Sequence, residues 1–288
     1  MKQKIKLALD LIKARFIDRG VVLFWATFIG ILVASRGLPN PLTLLKALVV
    51  SFSIVTAVYV YNDVMDYEYD KLNKIDRPVA RGELSRKEGL IIALTFAAIG
   101  VFMGGFINSE TLILTIIFLT LGFLYSTPPV RLKKRFLMKQ IITSTGTMIC
   151  CLIGGTVVGN LSIQVIYLGF IYFLLLMAGS PLADLADLRG DTANGVKSLT
   201  VAFGPKFAIK FAMAVFFTTI VATVISYPYI GFNVLTPMIV TGCGLGFIWV
   251  TYGFLRAGWQ DPIFCKKNVR KLIAINFIYQ FSFVLGVL

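Results

Sequence analysis

Nine apolar runs follow one another along the 288-residue chain, at 20–36, 42–61, 88–106, 111–126, 136–158, 162–182, 207–226, 232–254 and 271–288. A helix that crosses a bilayer needs about 20 apolar residues, because a rise of 1.5 Å per residue must cover about 30 Å of hydrocarbon. Lipid offers no partner to backbone N–H and C=O groups, so only helices and closed barrels span it. These runs lack the strict alternation of barrel strands and read as helices. The expected fold class is therefore all-α: a polytopic membrane protein of nine transmembrane helices. Hydrophobic residues make up 57% of the chain and charged residues 15%, which excludes a soluble globule, a disordered chain and a coiled coil.

The loop charges give the orientation. With the N-terminus cytoplasmic and the C-terminus outside, every Lys and Arg of the 28 except Arg36 and Lys46 falls on the cytoplasmic side. The outer loops are short and nearly uncharged: Asn108-Ser109-Glu110, Gly159-Asn160-Leu161 and Tyr227-Pro228-Tyr229. Residues 1–19 set Lys2, Lys4, Lys6, Lys13, Arg15 and Arg19 among Ile5, Leu9, Ile12 and Phe16, the pattern of an amphipathic interfacial helix. The whole of 1–288 reads as one integral-membrane domain, multi-pass in the cell membrane, and the formal charge of +14 needs no nucleic acid to explain it. The chain has no His, and Cys150, Cys151, Cys243 and Cys265 have no C-x-x-C spacing, so neither a zinc site nor a disulfide framework is expected.

The acids concentrate at two places on the predicted cytoplasmic side. Asp63, Asp66, Glu68, Asp70 and Asp76 follow the second run, and Asp184, Asp187 and Asp191 follow the sixth. If the second helix continues, Asn62, Asp66 and Asp70 recur every four residues on one face; Asp184, Asp187 and Asp191 share a face in the same way. Stripes of carboxylates repel one another unless a cation sits between them. Mg²⁺ suits oxygen donors and bridges them to phosphates, so two facing stripes can hold two Mg²⁺ ions with a diphosphate between them. Arg77, Arg131, Lys133 and Lys197 lie nearby in sequence and supply charge for a leaving diphosphate. Read as structure only, the acids are solvated loop charges paired with neighbouring Lys and Arg.

The motifs Asn62-Asp63-x-x-Asp66-x-x-x-Asp70 and Asp187-x-x-x-Asp191, the latter preceded by Asp184, resemble the two aspartate-rich motifs of the UbiA superfamily of intramembrane prenyltransferases. Arg77-Pro78…Gly82 and Tyr125-Ser126…Arg131-x-Lys133 are similar to its connecting segments, and the likeness spans nearly the whole chain. The resemblance implies nine helices around a central cavity capped by cytoplasmic loops. It implies a polyprenyl diphosphate held through Mg²⁺ by Asn62, Asp66, Asp70, Asp187 and Asp191, with Asp63 and Asp184 positioning substrate. Arg77, Arg131 and Lys133 would hold the diphosphate, and Tyr125 would face an allylic carbocation, captured by a lipophilic acceptor, or help orient that acceptor. The Arg-Pro pair that many members carry before the first helix is absent, and the second motif differs from the Lys-Asp-Ile-Glu-Asp form of members that act on geranylgeranylglyceryl phosphate. With the Tyr-Ser-x-Pro-Pro form of the connecting segment, this favours an aromatic, quinone-precursor acceptor. A glycerophosphate acceptor, as in archaeal lipid synthesis, is the alternative. A cation-coupled transporter is the competing class, although transporter acids lie near the midplane on broken helices rather than at helix ends.

Overall fold

A computed structural model describes the chain except residues 1, 73, 74 and 194 and the side chains at 2, 3, 18, 19, 189 and 257. The expected loop charges Lys2, Arg19, Lys74 and Arg189 thus lie outside the described residues or side chains. Every element is helical among the described residues. The helices are α1 (Lys2–Arg15), α2 (Val21–Ser35), α3 (Pro41–Met65), α4 (Tyr67–Leu72), α5 (Arg86–Ile107), α6 (Ser109–Ser126) and α7 (Met138–Val158). They continue with α8 (Ile163–Asp184), α9 (Leu188–Ala193), α10 (Leu199–Phe203), α11 (Pro205–Ile230), α12 (Leu235–Ala257) and α13 (Pro262–Val287). Eight of these are long and apolar enough to cross a membrane, which makes this a multi-pass protein. The first apolar run gives the shorter α2, of 15 residues, joined to α1 through a π-helical turn over Phe16–Gly20.

Local chemistry sets the helix ends. Ser85 and Glu88 form a capping box at the start of α5, and Asn40 caps α3 through the Thr43 N–H. Two expectations change here. Tyr227-Pro228-Tyr229 is the last stretch of α11, not an outer loop; the turn falls at Gly231, whose φ of +87° favours glycine. A transmembrane helix tolerates proline near its end, where the lost N–H leaves few bonds behind it. The last helix starts at Pro262, earlier than expected, because the Asp261 carboxylate caps the Ile263 N–H at 2.8 Å. Lys266, Lys267, Arg270 and Lys271 are therefore helical residues, since basic side chains end a hydropathy run without ending a helix.

Helices α2, α3, α5, α6 and α7 pack as one group and α8, α11, α12 and α13 as another; α7 meets α8, and α13 meets α2. Helices α2 and α7 meet backbone to backbone. A Cβ added at Gly30 would lie 2.2 Å from the Cys151 carbonyl oxygen, and one at Gly154 would lie 2.4 Å from that of Thr27. Small residues allow this backbone contact where lipid gives no hydrophobic drive to association. Gly154→Leu should force the helices apart and cost at least about 2 kcal/mol through overpacking. A lowered thermal midpoint in detergent is the check; an unchanged one would mean the seam is looser than drawn.

Candidate active site

The C-terminal ends of α3, α6 and α8 and the N-terminal ends of α5 and α7 meet at one end of the bundle, and both acid clusters are there. Helix α3 stops at Met65 and α4 starts at Tyr67, but the break is one residue wide. The Asp66 N–H donates to the Asn62 carbonyl at 2.9 Å and the Asp70 N–H to the Asp66 carbonyl at 2.8 Å. The i, i+4 register of Asn62, Asp66 and Asp70 therefore survives the break. The second cluster departs from the expected single helical face. Asp184 ends α8, a 3₁₀ turn covers Leu185–Asp187, and Asp191 lies in α9. This change of pitch carries Asp187 to an exposed position, while Asp184 is buried and Asp191 half-buried.

A cation stands on almost every acid. Arg15 lies over the Asp63 carboxylate: its Nε donates to Oδ2 at 2.8 Å, its Nη2 pairs with Oδ1, and Nη2 also donates to the Asn62 side-chain oxygen Oδ1 at 3.4 Å. Arg77 Nη1 bridges Asp63 Oδ1 at 2.9 Å and Asp70 Oδ2 at 2.5 Å. Lys133 pairs with Asp66, and its ammonium sits 5.8 Å from the centre of the Tyr125 ring. Arg131 donates to the Met65 carbonyl at 3.0 Å and stands 3.9 Å from Asp66. Its φ of +34° is strained for a side-chain-bearing residue, and such strain gathers at functional sites. In the second half, Lys139 Nζ joins Asp184 at 2.8 Å to Asp191 at 3.0 Å, and Gln140 Nε2 donates to Asp184 at 3.0 Å. The Asn62 amide donates to Ser126 Oγ at 2.6 Å.

Tyr69, in α4, feels acids of both clusters. Its phenol is held above the ordinary value by burial first, then by the charges of Asp191, Asp70, Asp66 and Asp187. Acids of both motifs thus act on one hydroxyl. Burial also raises the Asp70 carboxyl, against the pull of Arg77, and lowers the Lys133 ammonium, against that of Asp66.

The structure thus brings together Asn62, Asp63, Asp66, Asp70, Arg77, Tyr125, Arg131, Lys133, Asp184 and Asp191, with Asp187 at the rim. Lys197 is exposed and makes no ion pair among the described residues. Arg15, Tyr69, Lys139 and Gln140 join the site without having been singled out in the sequence. Arg15 corrects the reading of residues 1–19 as an interfacial helix alone: Ile5 and Leu9 are exposed, but Leu11 and Arg15 are buried. For Gln140 a signal existed, since a polar side chain inside an apolar run is a functional flag.

The donors near the acids are hard oxygens, with neither His nor Cys among them, and they fit Mg²⁺ rather than a softer metal. Among the described residues no three acids already converge as a metal cage. Arg77 and Lys139 each stand between two carboxylates instead, and Lys133 stands on Asp66. They are positive groups that a metal–diphosphate would displace from carboxylate onto phosphate.

The UbiA prenyltransferase family profile matches residues 23–277. Relatives include a digeranylgeranylglyceryl phosphate synthase of Thermococcus sibiricus, 28% identical over 90% of both chains, and one of Pyrococcus furiosus, 29% identical over 90% of both. The solved structure of a digeranylgeranylglyceryl phosphate synthase superposes with a TM-score of 0.80 at 24% identity, covering 100% of this chain and 99% of that one. A UbiA homologue from Archaeoglobus fulgidus bound to GPP and Mg²⁺ superposes at 0.69 with 19% identity, covering 97% of this chain and 99% of that one. The family match over most of the chain, the shared fold and the paired acid clusters agree: this protein belongs to the UbiA prenyltransferase family and is a membrane-embedded prenyltransferase.

Proposed function

We propose that the protein transfers a polyprenyl group from an allylic polyprenyl diphosphate to the free hydroxyl of a prenylated glycerophosphate, with two Mg²⁺ ions at the paired acid clusters. The observation that carries the diphosphate reading is that both acid motifs lie at one end of the bundle with Arg77, Lys133 and Lys139 seated on their carboxylates. The acceptor follows the relatives' names, digeranylgeranylglyceryl phosphate synthase over 90% of their length, in preference to the quinone-type acceptor that the motif forms favoured. The strong excess of basic residues at this end supports a cytoplasmic site.

In this reading Asp66, Asp70, Asp187 and Asp191, with the Asn62 side-chain amide oxygen, would hold the metals. When bound, Mg²⁺ would supply positive charge that offsets the charge of the diphosphate. Arg77, Arg131, Lys133 and Lys139 bind the diphosphate oxygens and stabilise the leaving group as negative charge develops on it. The C1–oxygen bond breaks, and pyrophosphate keeps the electron pair. The acceptor hydroxyl oxygen bonds to C1, and its proton is then lost to a pyrophosphate oxygen. The Tyr125 ring, already under one ammonium, presents a π-face to the allylic cation. Burial below the cluster keeps water from the cation.

The test is a product assay on protein purified in detergent, with Mg²⁺ and radiolabelled geranylgeranyl diphosphate. Geranylgeranylglyceryl phosphate, hydroxybenzoate, dihydroxynaphthoate and homogentisate serve as acceptors, with EDTA as control. An EDTA-sensitive ether lipid from the glycerophosphate alone supports the reading; product only from an aromatic acceptor overturns it. Within the same assay, Lys133→Ala should raise the KM for the diphosphate by about tenfold, the scale of one charge-assisted hydrogen bond. Unchanged kinetics would make Lys133 a topology charge only.

A further inference from the structure

Gln140, in the first turn of α7, has no exposed surface, and its Nε2 is committed to Asp184. That bond fixes the amide, because the flipped form would set its carbonyl against a carboxylate. Oε1 therefore points away from Asp184, is fully buried, and has no hydrogen-bond partner among the described residues. Four residues on, Ser144 also has no exposed surface, and its Oγ is also unpartnered. Residues i and i+4 share a helix face, and four residues at 1.5 Å each carry Ser144 about 6 Å further into the bundle. Two buried polar atoms thus lie in a row, on the membrane side of the second acid cluster. Buried acceptors without a donor are rare in folded proteins, and each one calls for an explanation. The metal–diphosphate reading above gives neither atom a role.

We propose that Gln140 Oε1 and Ser144 Oγ form the subsite for the reacting hydroxyl of the acceptor alcohol. The inference rests on the diphosphate reading above, because a diphosphate held by Asp191 and Lys139 leaves its prenyl C1 on this inner side. The alcohol O–H donates to Gln140 Oε1, the Ser144 hydroxyl completes the pair, and an oxygen lone pair is left for C1. Gln140 takes no proton: once the oxygen has bonded to C1, the oxonium proton leaves to a pyrophosphate oxygen. The subsite selects a nucleophile that carries a hydrogen on its reacting atom's oxygen, an alcohol, over a carbon nucleophile, which has no O–H there to give.

The experiment compares wild type, Gln140→Met and Ser144→Ala in detergent. It measures KM for geranylgeranylglyceryl phosphate and for the diphosphate, and calorimetric binding of a glycerophosphate analogue with hydrogen in place of the free hydroxyl. Each variant should raise the acceptor KM by about tenfold, as for one buried neutral hydrogen bond, and leave the diphosphate KM within about twofold. The deoxy analogue should bind all three proteins alike. A parallel rise in both KM values, or a deoxy analogue that distinguishes wild type from the variants, would overturn the subsite. Ser144→Ala guards the result, because Ser144 makes no bond to Asp184. Wild type that prenylates only an aromatic acceptor would overturn the glycerophosphate reading and this subsite together; normal conversion without the variant effect overturns the subsite alone.

Discussion

Asp66→Asn and Asp187→Asn should each lower kcat by about a thousandfold, the scale seen when one preorganised group that stabilises developing charge is removed. Their structural settings differ, and that makes the pair informative. Asp66 is the partner of Lys133, so its loss leaves an ammonium of 16% exposure facing a neutral amide. An amide oxygen still accepts from that ammonium, and the fold should lose about 1 kcal/mol. Asp187 is exposed and makes no ion pair among the described residues. Its variant should melt with wild type, so any loss of turnover comes from the chemistry alone. Single-turnover rates at saturating Mg²⁺, beside thermal midpoints, separate the two effects. Near-wild-type turnover in both variants would overturn the metal–diphosphate assignment.

The hydropathy pattern placed the long helices, and the spacing of acids pointed to both halves of the candidate site, because each signal is local. Asn62, Asp66 and Asp70 hold their register through four-residue hydrogen bonds, which sequence spacing captures. What stayed hidden is tertiary. Arg15 meets a partner 48 residues away, and Lys139 meets Asp191 52 residues away. Both had been counted as topology charges, since a positive-inside count treats all basic residues alike. The 3₁₀ turn that moves Asp187 off the face of Asp184 also lacks a local cue, because Pro181 lies inside α8 and the helix runs past it to Asp184. The quinone-type acceptor expected from the form of the connecting segment finds no support among the relatives, which are named digeranylgeranylglyceryl phosphate synthase.

Arg15→Met should be the most damaging single change to the fold of the site. Asp63 has a side-chain exposure of 1% and Arg15 of 7%, and breaking a buried pair by removing one partner costs about 3–5 kcal/mol. Arg77 still faces Asp63 Oδ1, so the loss should fall at the lower end of that range. The residual charge is the cause, which gives the prediction its sign. Adding Asp63→Asn should restore stability to the Arg15→Met protein, whereas independent effects would sum. The consequences reach the chemistry. Through Asp63 and Asn62, Arg15 ties α1 to the end of α3, and Lys4 ties the same helix to Glu88 at the start of α5, at 2.5 Å. Helix α1 is thus a strut across the helix ends that carry the first acid motif. Without its inner anchor, Asn62 loses one of its two fixed contacts, and the Mg²⁺ concentration for half-maximal activity should rise while Asp66 and Asp70 stay in the chain unchanged. Denaturation midpoints and Mg²⁺ titrations of the two single variants and the double variant form one cycle. Additive losses across it would mean that Arg15 packs against the site without holding it.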